Sequence, residues 1–522
     1  MATAFLVVLP WYFAGVPSGH DFKFHLNSWM EVLGQWKQGV LYPHWAGMAN
    51  YGFGEPRFIF YPPASWTLGA ALGALLPWKL VPGAYVWIVL TLSGCSMFAL
   101  ARHWLGRSDA IFAAALYAAN PYHLVIVYWR SAFAELLAAA LLPLVVLWVL
   151  RSEEDGRKII IPLGLIVAAA WLTDLPAAVM LNYSLVLLLI VAAVMKRSPR
   201  VLLYGTAAVV LGFALAAFYL IPAIYQQRWV DIANALLPGV RPQDNFLFTM
   251  IANDPRHNRF NFLVSMVACA ELVALPGALL LSWRRRTKIQ TIWWMLALWA
   301  AAILLLMHPF SQSIWDHLPK LRFLQLPWRW LLCLNVCFVL LLTMAWRRWV
   351  PRALLCGAML LVLMSVVLVQ PPQWGTASEF PGKGYEGTDE YLPAEADIYV
   401  VNSAAPLVKL EDDGKAQVQI QRWTAETKVF TAKASEPGNL VLRLFTYPAW
   451  RAEVNGQVVA TDNQDRTGQM LIPVDAGENI VRVTFIRTGD QIVGDVISGI
   501  TALLLFGFLL WQKKQQSLHN HV

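Results

Sequence analysis

The stretch GHDFKFHLNSWMEVLGQWKQG, residues 19–39, holds side chains that can move a proton or bind a metal ion. His20, Asp21 and His25 lie within one short segment. They could form an incomplete site for a divalent metal such as Mg²⁺ or Mn²⁺, or the histidines could assist the carboxylate in a hydrogen-bonded network. Both alternatives stay open, as does an ordinary interfacial acid with hydrogen-bonded neighbours.

Three further charged residues stand beside long apolar runs. Arg130 and Glu135 occur in VYWRSAFAELL (127–137), and Arg329 occurs in LRFLQLPWRWLL (321–332). An arginine in a membrane segment is costly unless it is paired or reaches the interface. A phosphate suits it, because the planar guanidinium matches phosphate oxygens, and so does a carboxylate such as Glu135. The pattern predicts an anion-binding arginine or, alternatively, one that snorkels to the interface.

Two other features extend this set of candidates. Glu271 lies near the middle of an apolar run, where we expect it to be protonated and hydrogen-bonded to a neighbouring helix. The segment YGFGEPRFIFYPP (51–63) is rich in glycine, proline and aromatic rings, which indicates a rigid loop suited to a sugar or a lipid headgroup. Arg57 and Tyr61 are its candidate substrate-binding residues.

The composition places these residues in a membrane protein. The 522 residues are 58% hydrophobic and 14% charged, with a mean hydropathy of +0.51. A soluble chain carries roughly a quarter charged residues. The net charge of +8 does not indicate nucleic-acid binding, because the basic residues lie in short loops between apolar runs.

The basic loops predict the topology. RHWLGR (102–107), KRSPR (196–200) and RRRTK (284–288) belong in the cytoplasm by the positive-inside rule. The apolar runs between the basic loops predict twelve spans with both termini inside. The apolar segment 64–78 is too short to cross and would break the alternation, so we expect it to remain at the outer side.

The predicted domains follow from these spans. Residues 1–370 form an all-α transmembrane domain with a first outer loop, 17–81, in which an amphipathic helix follows Asp21. Residues 371–490 carry 17 acidic and 11 basic residues and alternate with period two, as in AQVQIQRW (416–423), and Asn455–Gly456 predicts a two-residue hairpin turn. This pattern predicts a small periplasmic all-β, sandwich-like domain. A last transmembrane helix and a cytoplasmic tail occupy 491–522.

These motifs resemble those of a known family. GHDFKFH, YGFGEPRFIFYPP, YWRSAFAE, LQLPWRWL, DEYLP (389–393) and YPAWRAEVNG (447–456) look like the bacterial 6-pyruvoyl-tetrahydropterin-synthase-related, YfhO-like integral membrane family. An acid in the first outer loop, before an interfacial helix, also resembles the GT-C superfamily of membrane glycosyltransferases. The resemblance covers nearly the whole chain, although nothing in it looks like a soluble pterin enzyme.

The resemblance implies sugar transfer from a polyprenyl-phosphate-linked donor to a glycan or lipid acceptor of the cell envelope, at the outer face of the inner membrane. It makes Asp21 the catalytic base and Glu135 a second catalytic acid, with His20 assisting. Arg329, Arg130 and His25 are then expected to bind substrate, Arg329 by its chemistry more than by its motif.

Two other functions remain open from the sequence. Twelve spans and Glu271 would suit a transporter or flippase of lipid-linked glycans. Against this, the chain shows no clear internal repeat, and its polar residues gather at one membrane face. A non-catalytic scaffold for envelope assembly is the third possibility, with the β-domain as its binding module.

Overall fold

The structure is a computed structural model of the whole chain. It describes residues 1–152, 156–283, 290–346, 348–375, 384–411 and 416–519. The predicted cytoplasmic loop at 284–288 lies outside these described residues.

Helices dominate the chain up to residue 369, and one long helix follows the last strand. Their bounds are Ala2–Ala14 (α1), Phe22–Lys37 (α2), Arg57–Phe60 (α3), Pro63–Leu75 (α4), Val81–Ala101 (α5), Arg107–Ala118 (α6), Pro121–Val125 (α7), Phe133–Ala139 (α8), Leu142–Arg151 (α9), Ile160–Trp171 (α10), Leu175–Lys196 (α11), Arg200–Leu215 (α12), Ala217–Tyr225 (α13), Pro255–Trp283 (α14), Gln290–Leu306 (α15), Gln312–His317 (α16), Leu331–Ala345 (α17), Trp349–Val369 (α18) and Gly489–His519 (α19).

Many of these helices can cross a membrane. Among the described residues, eight helical segments are long and apolar enough, and two bent pairs would raise the number to ten. The other two predicted spans correspond to α1 and α10, with 13 and 12 residues. Each extends only about 20 Å, against roughly 30 Å of hydrocarbon. The polytopic all-α class is confirmed, and the number of twelve crossings stays a prediction.

The apolar segment at 64–78 forms α4, Pro63–Leu75. Its 13 residues are too few for a relaxed crossing. Its position at the outer membrane surface stays a prediction.

Contacts divide the chain into two compact units. The first comprises residues 1–26, 63–216 and 235–379, and the second comprises 27–62, 217–234 and 380–522. The second unit therefore contains most of the predicted β-domain together with two segments from the first half of the chain, whereas residues 371–375 belong to the first unit.

The centre of the first unit is α17. Every residue from Leu331 to Met344 is buried, which explains why this helix has no polar face. The short turn Pro327–Trp330 precedes it directly and carries Arg329. A helix enclosed on all sides thus fixes the position of this arginine.

The second unit contains two antiparallel sheets, which confirms the small all-β domain. The strands of the chain are Val16–Pro17 (β1), Trp374–Gly375 (β2), Val408–Leu410 (β3), Ala416–Trp423 (β4), Thr427–Ala434 (β5), Gly438–Phe445 (β6), Trp450–Val454 (β7), Gln457–Val459 (β8), Asp462–Asn463 (β9), Gln469–Val474 (β10) and Gly477–Phe485 (β11). The sheet orders are β3-β6-β10-β9 and β4-β5-β11-β7-β8, and β1 pairs with β2 in the first unit. Asn455 and Gly456 form the predicted hairpin turn with φ of 51° and 81°.

Candidate active site

The loop that carries Asp21 is held by the main chain of the segment around Arg130. The N–H of Asp21 donates to the carbonyl of Arg130 at 2.8 Å, and that of His20 donates to the carbonyl of Trp129 at 3.2 Å. At the start of the loop, β1 pairs with β2. Two distant parts of the sequence are therefore joined by backbone hydrogen bonds, which fix Asp21 independently of its side-chain contacts.

Gly19 is required at this junction. A Cβ at this position would lie 2.5 Å from the carbonyl carbon of Arg130, a distance that real Cβ atoms do not show. The N–H of Gly19 donates to Oγ of Ser131 at 3.0 Å, and that hydroxyl donates to the carbonyl of Pro17 at 3.1 Å. The absence of a side chain thus permits the close approach of the two segments.

Arg130 occupies an unusual backbone segment. Residues Ile126–Arg130 form a π-helical turn, which ends at Ser131 with φ of 53°. Such turns are rare and frequently occur at functional sites. The break between α7 and α8 brings Arg130 and Glu135 together, although a straight helix would place residues five apart on different faces.

Arg130 links the two predicted catalytic acids. Its Nη2 lies 3.6 Å from Oδ2 of Asp21, and its Nη1 makes a close ion pair with Oε2 of Glu135. The Nε of Arg329 lies 3.3 Å from the same Glu135 oxygen. Because both carboxylates contact one guanidinium, they lie within about 10 Å of each other. The structure thus brings together Asp21, Arg130, Glu135 and Arg329.

Both carboxylate oxygens of Glu135 contact neighbouring side chains. It is 2% exposed, and the Tyr122 hydroxyl donates to its Oε1 at 2.7 Å while the two arginines contact its Oε2. The ring of Trp328 lies under the Arg130 guanidinium, 5.0 Å from its centroid. A carboxylate with both oxygens occupied is suited to holding the arginines in place, and poorly suited to accepting a proton.

Asp21 is the accessible carboxylate of the cluster. Its side chain is 33% exposed, and the 85% exposed His20 lies beside it, with Nδ1 3.5 Å from Oδ1. Burial tends to raise the pKa of Asp21, but the hydrogen bond from His20 and the charge of Arg130 outweigh burial and lower it. The same hydrogen bond raises the pKa of His20. Asp21 is therefore ionised at physiological pH.

A third acidic residue of this region, Asp174, is not among the residues predicted from the sequence. It caps the N-terminus of α11, where its Oδ1 accepts the N–H of Ala177 at 2.8 Å. Burial and the charge of Glu135 raise the pKa of Asp174 to about 6, although Arg329 acts in the opposite direction. The Asp-Leu-Pro sequence before a long apolar run is a helix-start signal and could have identified it.

The residues proposed for a metal do not fit one. His25 is buried, and its Nε2 accepts the N–H of Phe133 at 3.1 Å. The guanidinium of Arg130 faces Asp21, and a cation there opposes a second positive charge. Within the described ranges, no group of three or more His, Cys, Asp or Glu side chains could hold a metal ion.

Arg57 and Tyr61, the other predicted substrate-binding residues, belong to the second unit. Arg57 is 1% exposed, and its Nε donates to Oε1 of Glu55 at 2.7 Å. Its Nη1 donates to the hydroxyl of Ser28 at 3.0 Å. The guanidinium of Arg57 therefore makes its hydrogen bonds to residues of the second unit. Tyr61 follows α3 directly and is partly exposed.

Glu271 lies in the middle of α14 and is fully buried. Neither of its carboxyl oxygens has a hydrogen-bond partner among the described residues. The expected hydrogen bond to a neighbouring helix is therefore not found.

The chain matches a known family of membrane proteins. A family model described as a 6-pyruvoyl-tetrahydropterin synthase related domain, membrane protein, matches residues 58–374. This range includes Arg130, Glu135, Asp174 and Arg329, whereas Asp21 precedes it. No curated protein matches the chain.

Proposed function

The chain belongs to the 6-pyruvoyl-tetrahydropterin synthase related family of membrane proteins, and from that premise we propose that it is a membrane glycosyltransferase. It would transfer a sugar from a polyprenyl-phosphate-linked donor to an envelope acceptor. The observation that carries this proposal is the cluster of two arginines around Glu135, with the accessible carboxylate of Asp21 beside it.

The arginines supply the positive charge that a departing phosphate needs. Arg130 and Arg329 both contact Glu135, so their guanidinium groups are held close together before any substrate binds. The carboxylates of Glu135 and Asp21 balance the two guanidinium charges, so the arginines stay close together without net repulsion until a donor phosphate competes for them. Such preorganised charge stabilises a leaving phosphate more effectively than mobile charges in water do.

Asp21 supplies the base. The acceptor hydroxyl oxygen forms a bond with the anomeric carbon of the sugar, and the bond from that carbon to the phosphate oxygen breaks. The hydroxyl proton moves to Asp21, and the electron pair of the broken bond remains on the phosphate, beside the arginines. Glu135 acts as a positioning residue, because its oxygens are already occupied. His20 assists by its hydrogen bond to Asp21.

Purified full-length protein offered labelled polyprenyl-phosphate sugars would test this function. We expect transfer or hydrolysis of the label. Arg329→Ala should weaken donor binding and slow transfer, whereas Arg241→Ala, which removes a 40% exposed arginine paired with Asp244, should change neither. Failure of every donor, or equal behaviour of the two variants, would contradict the proposal.

Glu271 favours a second candidate function, transport of a lipid-linked glycan. A buried intramembrane carboxyl without a hydrogen-bond partner is typical of a proton-coupling site. In proteoliposomes, Glu271→Gln should then abolish flux driven by a proton gradient. Under the glycosyltransferase proposal the same variant leaves transfer unchanged.

We also propose the orientation given by the basic loops, in a bacterial inner membrane, with residues 17–63 and 371–490 periplasmic. Single cysteines at positions 40, 286 and 462, in a background without the five native cysteines, would test it. An impermeant reagent added from outside should label 40 and 462. Labelling of 286 alone would overturn the orientation.

A further inference from the structure

The second unit contains a cavity of about 430 Å³ that the proposed reaction does not use. Pockets of this size accept a ligand of moderate size through apolar walls and a few polar groups. Four aromatic and two aliphatic residues line the cavity together with an amide and one ion pair. The lining consists of Tyr42, His44, Ile59, Phe218, Tyr219, Pro222, Arg487, Gln491 and Asp495.

Gln491 is the unusual member of this lining. Its side chain is 4% exposed, and its Oε1 accepts the N–H of Thr488 at 3.1 Å. Its amide nitrogen is buried and has no hydrogen-bond partner among the described residues. A buried donor without a partner is destabilising by about 1–3 kcal/mol, so natural proteins rarely keep one. A ligand oxygen in the cavity would satisfy it.

An ion pair adds both signs of charge to the lining. Arg487 and Asp495 form the pair, with side chains 59% and 38% exposed. Arg487 lies two residues before α19 and Asp495 lies in its second turn, and the segment Gly489–Ser517 of this helix is apolar enough to span a membrane. Side chains at the end of a span lie where lipid headgroups are found.

The helices around the cavity are fixed against each other. A Cβ at Gly494 would lie 2.6 Å from the carbonyl oxygen of Ala217, so α13 and α19 are in close backbone contact. The N–H of Phe218 donates to Oγ of Ser498 at 2.9 Å. His44 stacks on Phe485 with ring centroids 5.6 Å apart. The cavity is therefore part of a packed structure.

We propose that this cavity binds the headgroup of a zwitterionic phospholipid of the phosphatidylethanolamine class. The phosphate would meet Arg487, the ammonium would meet Asp495, and an ester or phosphate oxygen would accept from Gln491. The aromatic and aliphatic walls suit the glycerol and the first methylene groups. A sugar fits less well, because Gln491 is the one residue of this described lining with an unpartnered buried polar atom.

Native mass spectrometry of the full chain in detergent would test the proposal. The delipidated protein is offered phosphatidylethanolamine, phosphatidylglycerol or soluble phosphoethanolamine at equal concentration. We expect at least fivefold greater retention of phosphatidylethanolamine than of phosphatidylglycerol. Gln491→Leu, which keeps the volume but removes the amide, should reduce this retention at least fivefold.

The controls separate a specific site from general lipid affinity. Ile500→Ala changes a 54% exposed residue on the same helix, outside the cavity lining, and should leave retention unchanged. Arg487→Gln alters an exposed position, so this variant should fold normally and should also reduce retention. Agreement between the two cavity variants would show that the effect of Gln491→Leu does not come from misfolding. Equal retention of both lipids, no effect of either cavity variant, or equally strong binding of phosphoethanolamine would overturn the proposal.

Discussion

Glu135 and Glu271 are both buried glutamates, yet replacement by glutamine should affect the stability of the protein very differently. Glu135 contacts two arginines and a tyrosine hydroxyl. Glu271 has no hydrogen-bond partner among the described residues. Removing one member of a buried ion pair destabilises a protein by about 3–5 kcal/mol, because the remaining charge is left buried without compensation.

For Glu135→Gln we expect the lower part of that range. Asp21 remains 3.6 Å from Arg130 and neutralises part of its charge. A loss of about 3 kcal/mol corresponds to a fall in unfolding temperature of about 3 °C, because the unfolding entropy of roughly 2.1 cal/mol/K per residue is large when summed over 522 residues. Tyr122→Phe removes one hydrogen bond to the charged Glu135 carboxylate and should cost about 1.5–3 kcal/mol. Glu271→Gln should lie within about 1 kcal/mol of the wild type, because it breaks no pair.

Thermal unfolding of the full chain in detergent, followed by loss of the monodisperse peak in gel filtration, would measure this series. All variants must be compared at one pH and one detergent concentration. Unfolding of Glu135→Gln at the wild-type temperature, or equal destabilisation of Glu271→Gln, would show that the ion pairs of Glu135 do not stabilise the protein.

Three other outcomes follow from the site. Asp21→Asn should slow transfer by about 10²- to 10⁴-fold without loss of donor binding. The effect should be equal at pH 6 and pH 8, because Asp21 is ionised at both. Near-normal turnover would contradict the role of Asp21 as the base. The pKa of Asp174 is raised to about 6 in the folded state, above its ordinary value. As pH falls from 7 to 5, the folded state therefore binds a proton that the unfolded state does not, and the free energy of unfolding rises. Asp174→Asn, which keeps the helix cap, should flatten that dependence of unfolding temperature, and an unchanged slope would count against it. Gly19→Ala should displace Asp21 and reduce transfer. Transfer at the wild-type rate would show that the backbone around Gly19 and Arg130 can move apart without loss of activity.

The elements with strong local patterns could be predicted from the sequence. Strand β4 has the predicted bounds, 416–423, because its residues alternate clearly between apolar and polar. Strand β5 was missed because Lys428 stands at an inward position of its alternation. The structure resolves this conflict, because the Lys428 ammonium donates to the carbonyls of Thr424 and Ala425, both at 2.6 Å. Burial lowers the pKa of Lys428 to about 7.

The site was predictable only in part. The cost of an arginine within the membrane pointed to Arg329, and the shared membrane face pointed to Asp21 and Glu135. The π-helical turn at 126–130 places Arg130 in contact with Asp21 and Glu135, and Glu135 in turn contacts Arg329. Such a turn has no reliable sequence signal. The electrostatic link between Asp174 and Glu135 depends on helix packing, and local patterns do not encode it.

Because Asp21 and Glu135 share Arg130, the proposed reaction has a built-in order of events. Before the donor binds, the guanidinium holds Asp21 as a weak base. A donor phosphate competes with Asp21 for that guanidinium, and as the contact weakens the basicity of the carboxylate rises. The enzyme would then gain its base only when the donor is bound. Infrared difference spectra of the Asp21 carboxylate, with and without a polyprenyl phosphate, should show its pKa rise on binding, and an unchanged pKa would exclude this coupling.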